Sequence, residues 1–356
     1  MSAQDCWEVL VRRDDPTVTE VRAGSTEPLE PGQVRLAVEK FAVTANNVTY
    51  ARLGDSELPF FDVFPAADGY ARVPVWGYAR AEASRHPDVA VGTRYFGFLP
   101  MSSHHTTWIT PTDRGFVDAA PQRAFLHDWY RTYPLGEVPD ELDDLRTLVR
   151  PLYPASFALA DFLVEHGAAG VARAVVSSAS SRTALGLAER LRDDRPLELV
   201  GLTAARHRDF VTGLGLYDRV LTYDEVSTLP ARTSTVLLDF TGQPAALADQ
   251  CGHLAPGLVH TAQVGYTHAG GTMELPELPG PAPEIFFTPD VEQKARAAEG
   301  ADRHHARYAA AEERFLRSTT DWLRVDRRRG PEAAAAAFLD ALRGSASPQV
   351  ATVVIG

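Results

Sequence analysis

The sequence contains little cysteine and no long apolar run. Two of its 356 residues are cysteines, Cys6 and Cys251, and they form no C-x-x-C spacing. This scarcity excludes a dense disulfide framework and is typical of a reducing compartment, so we expect a cytoplasmic protein. No apolar run approaches the ~20 residues that a membrane-spanning helix needs. Residues 1–15 also lack the apolar core of a secretory signal, so we expect no export and no membrane partner.

Positive charge is also scarce. The chain has 35 Lys and Arg residues against 47 Asp and Glu residues, which gives a formal net charge of −12. An acidic balance is unsuited to a nucleic-acid surface, so we expect a small-molecule substrate and no nucleic acid. The hydrophobic fraction of 45% and the length suffice for two medium-sized domains with substantial cores.

Most glycines of the usual dinucleotide-binding fingerprint, G-x-G-x-x-G, are absent. Residues 174–192 indicate a buried strand, a serine-rich turn and a helix, and of the fingerprint only Gly186 remains. A strand that turns directly into a helix directs free N–H groups and the positive end of the helix dipole at one point, which suits a phosphate. The alternative is a turn whose serines merely cap the helix. The candidate phosphate-binding residues are Ser178, Ser180, Ser181, Arg182 and Thr183.

Strand and helix signals divide the chain into two parts. Residues 7–22, 33–44, 73–84 and 91–99 indicate short strands, which favours a small β-barrel. From residue 174 to residue 266 strands alternate with helices, which predicts a parallel, doubly wound sheet. We expect the apolar segment 350–356 to pair with the barrel. The predicted domains are a barrel over residues 1–150, completed by 290–356, and a nucleotide-binding domain over 151–289.

Three further segments have less regular patterns. The charged stretch 140–147 is interpreted as a solvated face, and the proline-rich stretch 274–290 as a surface loop. Residues 290–325 predict either one long charged helix or a broken pair of helices.

The combination of a barrel, a dinucleotide-type domain and a returning C-terminal strand resembles the medium-chain dehydrogenase/reductase superfamily. More closely, the sequence resembles DUF2855, an uncharacterised family within reach of that superfamily. The resemblance implies an α/β fold with a GroES-like β-barrel domain and a Rossmann-type, doubly wound parallel sheet. The matching stretches are TANNVTYARLGD (44–55), VPVWGYA (73–79), YFGFLPMSSH (95–104), RPLYPASFALADFL (150–163), SSASSRTALGLA (177–188) and GLGLYDRVLTYDE (213–225).

The comparison with the superfamily also implies that the chain binds no zinc. Zinc-dependent alcohol dehydrogenases carry a cysteine where this chain has Ala45, and a Gly-His-Glu where it has Gly77, Tyr78 and Ala79. Catalytic zinc needs three protein ligands, and two of them are missing here. The histidines at 104–105 and 304–305 are adjacent, so their side chains diverge. We therefore expect no metal site.

Without these zinc ligands, the chain resembles the zinc-free branch of the superfamily, the quinone oxidoreductases and enoyl reductases. There a nicotinamide hydride is delivered to an activated C=C or C=O, while side chains bind and protonate the substrate. The predicted catalytic residues are Tyr50, Asn46, Asn47, Tyr78 and His104, with the phenol of Tyr50 as the possible proton donor. Their alternative roles are core packing for the tyrosines, loop hydrogen bonds for the asparagines and an exposed position for His104. Substrate is expected in the cleft between the domains.

The second strand of the α/β domain indicates which nucleotide is preferred. NAD-binding folds have an acidic residue at this strand end, and none appears here before Asp209. Thr203 is followed instead by Arg206, His207 and Arg208, which suit the 2′-phosphate of NADP(H); the alternative is a solvated helix face. Ligands of such sheets lie at the carboxyl ends of the strands. Further cofactor-binding residues predicted there are Tyr223, Thr241, Gly242, Gly265 and Tyr266.

These patterns favour an NADPH-dependent reductase that forms a homodimer through the sheet edge at residues 259–266. Two alternatives stay open. A nucleotide-independent lyase or isomerase would use the same fold, with Tyr50 and His104 as acid and base. A non-catalytic binding or dimerisation module would use the helical segment 290–325.

Overall fold

The computed structural model describes residues 6–56, 58–193, 196–265, 277–344 and 347–356. The chain separates into two compact units, Met1–Leu148 with Trp322–Gly356 and Val149–Asp321. Among the described residues, no helix combines the length and the apolar character needed to cross a membrane.

The first unit is mainly antiparallel β-structure. Its largest sheet contains eight strands, and a smaller three-stranded sheet has the order β2-β1-β4. The elements are β1 (Trp7–Arg12), β2 (Thr19–Ala23), β3 (Gln33–Val43), α1 (Ala45–Arg52), β4 (Tyr70–Ala71), β5 (Pro74–Ser84), β6 (Arg94–Pro100), β7 (His104–Thr112), β8 (Gly115–Asp118), α2 (Asp128–Arg131), β9 (Thr132–Pro134), α3 (Asp143–Val149), β16 (Arg324–Arg329), α10 (Pro331–Leu342) and β17 (Val350–Ile355).

The contact between β3 and β5 forms the centre of this unit. Val34, Leu36 and Val38 of β3 are buried and alternate with more exposed residues, so one face of the strand supplies the core. β5 carries Gly77 where the two backbones approach. A Cβ added there would lie 2.1 Å from the carbonyl oxygen of Lys40, so the approach requires glycine.

β17 completes the large sheet as the sequence predicts. It pairs antiparallel with β3, from Thr352 opposite Val43 to Ile355 opposite Lys40. On its other side it pairs parallel with β16. The prediction that the apolar segment 350–356 pairs with the barrel is therefore confirmed.

The second unit is a parallel α/β domain. Its six-stranded sheet has the order β12-β11-β10-β13-β14-β15, which in chain order is 3-2-1-4-5-6. This order is that of the doubly wound dinucleotide-binding fold, so the predicted fold class is confirmed. The elements are α4 (Tyr153–Ala168), β10 (Arg173–Val176), α5 (Arg182–Arg190), β11 (Glu198–Thr203), α6 (Arg208–Gly213), β12 (Arg219–Thr222), β13 (Thr235–Asp239), α7 (Pro244–Leu254), β14 (Leu258–Gln263), β15 (Glu284–Ile285), α8 (Thr288–Glu299) and α9 (Ala301–Thr319).

The stretch 290–321 differs from the predicted boundary, which assigned it to the barrel. It forms the pair α8 and α9, broken at Gly300, whose φ is +90°. Both helices pack on the α/β unit, and ion pairs bind α9 to it, with Arg307 2.6 Å from Asp161 and Arg314 2.8 Å from Glu189. The helical pattern predicted the helices but could not identify the surface that they cover.

The edge of the parallel sheet also differs from the prediction. β15 lies inside the stretch that the sequence indicated was a loop, and it pairs parallel with Ala262 and Gln263 of β14. We predicted residues 259–266 as the dimer edge, but β14, which contains residues 259–263, is the second strand from the edge at Ala262 and Gln263.

Candidate functional site

Ser178 takes the place of a glycine in the turn after β10. Its φ of +51° is the only positive φ at a non-glycine position among the described residues. L-residues avoid this region because it costs roughly 1–2 kcal/mol. The turn is closed by the Ser181 N–H, which donates to the Ser178 carbonyl oxygen at 2.7 Å. The turn thus has the backbone geometry that a fingerprint glycine would give, although the residue is serine.

Ser181 is the N-cap of α5. Its Oγ accepts a hydrogen bond from the Ala184 N–H at 3.3 Å, which satisfies one of the helix's free donors. The capping interpretation of the serines therefore holds for Ser181. Ser180, Arg182 and Thr183 are half-buried around the same turn, where the positive end of the α5 dipole lies.

Two glycines allow close packing beneath the turn. A Cβ added to Gly186 would lie 2.7 Å from the Ser156 Oγ on α4. One added to Gly201 of β11 would lie 2.8 Å from the Ala179 Cβ inside the turn. In dinucleotide-binding folds the third fingerprint glycine has the same function, close packing of the first helix. Gly186 is therefore required by packing.

Asp239 connects the turn after β10 to the end of the neighbouring strand β13 through hydrogen bonds. It is fully buried at the end of β13. Its Oδ1 accepts hydrogen bonds from the Ser177 Oγ at 2.8 Å and the Thr241 Oγ1 at 2.7 Å, and its Oδ2 accepts one from the Gly242 N–H at 3.0 Å. β10 and β13 are strands 1 and 4 of the sheet, between which the strand order reverses, and ligands of open α/β sheets bind at that point. Asp239 was not among the predicted site residues, although the sequence DFTG after a buried strand indicated its position.

The other predicted residues of this edge lie close to the turn. The Tyr223 hydroxyl accepts a hydrogen bond from the Ser178 N–H at 2.9 Å, and burial raises the pKa of this phenol. The Gly265 N–H lies 3.4 Å from the Asp239 carbonyl oxygen. Tyr266 lies outside the described residues.

The two arginines predicted to bind the 2′-phosphate, Arg206 and Arg208, follow the end of β11 and have different partners. Thr203 is buried there, and its Oγ1 has no hydrogen-bond partner among the described residues. Arg206 is exposed and donates through Nε to the neighbouring His207 ring at 3.1 Å. Arg208 instead forms an ion pair with Glu225, with 3.0 Å between Nη1 and Oε1. Arg206 is therefore the arginine without an acidic partner among these described contacts.

In the barrel unit, Tyr50 lies in a buried aromatic cluster. Its ring centroid is 4.7 Å from that of Phe60 and 5.2 Å from that of Phe98. Its hydroxyl accepts a hydrogen bond from the Trp76 Nε1 at 3.0 Å. Burial raises the pKa of this phenol well above 10, while hydrogen bonds from Trp76 and Asn46 act in the opposite direction. The structure thus brings Tyr50 and Asn46 together and adds Trp76, which the sequence did not single out.

Asn47 and Tyr78 already have partners within the barrel unit. The Asn47 Oδ1 accepts from the Thr44 N–H at 2.6 Å, and its Nδ2 donates to the Pro74 carbonyl oxygen at 2.7 Å. These bonds start α1 and tie it to β5. The Tyr78 hydroxyl donates to the Glu137 Oε2 at 2.9 Å. Both residues therefore stabilise the scaffold in this structure.

His104 belongs to a different set of contacts from Tyr50. Its Nδ1 lies 3.1 Å from the Cys6 Sγ and 2.8 Å from the Ser103 Oγ, and its Nε2 lies 3.4 Å from the Glu82 Oε2. The predicted loop histidine is therefore the centre of a polar cluster. Within the described ranges, no group of three His, Cys, Asp or Glu residues is arranged to hold a metal ion.

Comparison with solved structures shows where this fold recurs. CurA from Vibrio vulnificus, in complex with NADPH, is 13% identical with a TM-score of 0.64, and the match covers 98% of each chain. The yhdH oxidoreductase from Salmonella enterica, in complex with NADP, is 12% identical with a TM-score of 0.56, covering 98% of this chain and 99% of that one. The quinone oxidoreductase from Coxiella burnetii is 12% identical with a TM-score of 0.55, covering 99% of each chain. At these identities the likeness establishes the fold alone.

Comparison by sequence establishes the family. No curated protein matches the sequence. Residues 41–347 match the family described as protein of unknown function (DUF2855). The match covers most of the chain, so the protein belongs to the DUF2855 family, and it shares its fold with the three solved structures named above.

Proposed function

We propose that this protein is a zinc-independent, NADPH-dependent reductase of the medium-chain type that acts on an activated C=C or C=O of a small molecule. The observation that carries the proposal is the serine turn at the reversal point of a 3-2-1-4-5-6 sheet. The whole-length likeness to NADPH-bound CurA and NADP-bound yhdH supports the same cofactor. Ala45 and Tyr78 at the zinc-ligand positions support chemistry without zinc.

The residues of the serine turn fit a dinucleotide phosphate. Ser178 has the glycine-favoured backbone, and Gly186 admits the close packing of the first helix. The N-terminus of α5 would stabilise an anion through its dipole and its first-turn N–H groups. Burial lowers the pKa of the Arg182 guanidinium to about 10, so this group keeps its positive charge at neutral pH. We assign the pyrophosphate to this turn.

The arginine pattern after β11 fits a 2′-phosphate. Arg206 is exposed beside His207, whereas Arg208 is already paired with Glu225. We therefore assign 2′-phosphate recognition to Arg206 rather than to Arg208.

Arg206→Ala should weaken NADPH binding about tenfold or more, because a hydrogen bond to a charged group contributes roughly 1.5–3 kcal/mol. NADH binding should change by less than about threefold, since NADH lacks the 2′-phosphate. The measurement is a fluorescence titration of both nucleotides. Arg208→Ala is the matched control and should leave the ratio of the two dissociation constants close to that of the wild type. Equal weakening of both nucleotides by Arg206→Ala would mean that Arg206 does not contact the 2′-phosphate.

We assign to Tyr50 the transfer of a proton to the substrate. NADPH supplies the hydride when it is bound. The Tyr50 oxygen accepts from Trp76, so its own proton remains available for a substrate atom that gains negative charge. The hydrogen bonds from Trp76 and Asn46 would stabilise the phenolate left after the transfer.

A nucleotide-independent lyase or isomerase is less well supported. That reaction would pair Tyr50 as acid with His104 as base. In the described structure Tyr50 contacts an aromatic cluster and His104 contacts Cys6 and Glu82, so the two side chains have separate surroundings.

The deciding experiment is a titration of the purified protein with NADPH and NADH, followed by nicotinamide fluorescence and by thermal shift. We expect micromolar binding of NADPH and weaker binding of NADH. A panel of enones, quinones and aldehydes would then be screened for NADPH oxidation. Failure to bind either nucleotide at millimolar concentration would reject the reductase proposal.

A further inference from the structure

Cys6 is placed beside His104 by a short length of paired backbone. The Trp7 N–H donates to the Ser103 Oγ at 2.9 Å, and the Ser103 N–H donates to the Trp7 carbonyl oxygen at 2.9 Å. The Val9 N–H donates to the Met101 carbonyl oxygen at 2.9 Å. These bonds hold the start of β1 against the segment before β7, directly next to the Cys6–His104 pair. The 3.1 Å contact between the Cys6 Sγ and the His104 Nδ1 follows from this backbone pairing.

Glu82 determines which ring nitrogen of His104 can act as a base. Its Oε2 lies 3.4 Å from the His104 Nε2. A carboxylate accepts hydrogen bonds, so it favours the tautomer with the proton on Nε2. The Nδ1 lone pair then faces the Cys6 thiol. The order thiol, imidazole, carboxylate is the arrangement by which enzymes activate a nucleophilic cysteine.

Two other groups adjoin this cluster. With the ring protonated on Nε2, the Ser103 hydroxyl, whose Oγ lies 2.8 Å from the same Nδ1, donates its proton to that nitrogen, and the Trp7 carbonyl oxygen lies 3.3 Å from the Oγ. Arg35 is the second charged group near the ring. Burial lowers the pKa of His104 and Arg35 adds to this effect, while Glu82 opposes both, so the neutral form of the imidazole is favoured.

The second cysteine of the chain, Cys251, provides a comparison for the reactivity of Cys6. Cys251 is fully buried, and burial raises the pKa of its thiol to about 11. Cys6, in contrast, is half-buried. Reactive cysteines are partly exposed and have a basic partner, whereas buried ones are inert. The chain therefore contains one thiol of each kind.

We propose that Cys6, His104 and Glu82 form a nucleophilic thiol site that reacts with activated alkenes such as α,β-unsaturated carbonyl compounds. The Cys6 thiol proton passes to the His104 Nδ1, and the thiolate electron pair forms a C–S bond to the β-carbon. The C=C π electrons move to the carbonyl as an enolate, and the imidazolium returns its proton to the α-carbon. The sum is addition of S–H across C=C, which needs no oxidant or reductant. The site acts without nucleotide and does not depend on the reductase proposal.

The experiment uses the full chain without nucleotide and N-ethylmaleimide as the probe, with adduct position and rate read by mass spectrometry. At about pH 6.5 we expect Cys6 to react about tenfold or more faster than the same cysteine in a synthetic peptide, since general-base assistance contributes at least this much. Cys251 should stay unmodified in the folded protein, and Cys6→Ser should abolish labelling. A second probe, 2-cyclohexenone, should give its adduct at Cys6 alone. Reaction of Cys6 at the peptide's rate, or adducts of either probe at Cys251 first, would overturn the proposal.

The pH profile separates base assistance from a structural effect. His104→Gln should slow labelling of Cys6 about tenfold or more at about pH 6.5, and the difference should shrink above pH ~9, where thiols ionise unaided. Glu82→Gln should give a smaller loss with the same pH trend, because Glu82 positions the ring. A loss that is equal at every pH, or no loss, would overturn the assignment to His104. Thermal melting of each variant checks that the fold is retained.

Discussion

Replacing Tyr50 with phenylalanine should lower turnover of the best substrate in the enone, quinone and aldehyde panel about 100-fold or more. Loss of a positioned proton donor has effects of this size. NADPH binding should be unchanged, because Tyr50 lies in the barrel core and not among the residues assigned to the nucleotide. The variant also leaves the Trp76 Nε1 without its acceptor, which should cost about 1 kcal/mol of folding stability. Steady-state kinetics and nucleotide titration check the two expectations.

Tyr95→Phe is the matched control for Tyr50→Phe. Tyr95 is a buried tyrosine on β6, 4.7 Å from Phe116 between ring centroids, and it is absent from the ring contacts of Tyr50. It should keep turnover within a few-fold of the wild type. Burial raises the pKa of Tyr50 well above 10, so the phenol keeps its proton below that pH, and loss of its proton should not lower the rate between pH 6 and pH 9. Turnover by Tyr50→Phe within threefold of the wild type would remove Tyr50 as proton donor.

Asp239→Asn should destabilise the α/β unit and weaken nucleotide binding together. The carboxylate accepts hydrogen bonds on both oxygens, from Ser177, Thr241 and Gly242. An amide at this position turns an NH₂ group toward at least one of these donors. An unsatisfied buried donor costs about 1–3 kcal/mol, and the turn that carries Ser178 loses its anchor. We expect the free energy of unfolding to fall by about 2–4 kcal/mol.

Asp249→Asn is the control for Asp239→Asn. Asp249 lies on α7 in the same unit and is exposed, so its replacement should change stability by less than about 0.5 kcal/mol. Denaturant titration measures both variants, and NADPH titration shows whether the turn is affected. If Asp239→Asn has wild-type stability and wild-type affinity for NADPH, the carboxylate does not hold the turn after β10 in place.

The fold could be predicted because its signals are local and repeated. Alternating strands and helices over residues 174–263 allow few topologies, since parallel strands require right-handed crossovers. The turn after Val176 was identifiable from the residues between a strand and a helix. The pairing of β17 followed because an apolar segment of that length requires a partner strand.

Long-range polar partners could not be predicted in the same way. The stretch 140–147 indicated a solvated face, but Asp143 and Asp144 are buried. Asp143 pairs with Arg94 at 2.8 Å and with Lys40 at 2.7 Å. These cations are far from Asp143 in sequence, and spacing within a helix carries no information about them. The same holds for His104, whose partners are Cys6, just before β1, and Glu82 on β5.

The pairing of β17 with β3 has a consequence for biosynthesis. The barrel unit is built from residues on both sides of the α/β unit, and β17 follows that unit in the chain. The α/β unit is continuous and can fold once residue 321 has left the ribosome, whereas residues 40–43 of β3 must wait for residues 352–355. During that interval β3 has an exposed hydrogen-bonding edge, the kind of surface that pairs with other chains. The α/β unit should therefore be the first to fold, and the nascent barrel should be the main client of chaperones.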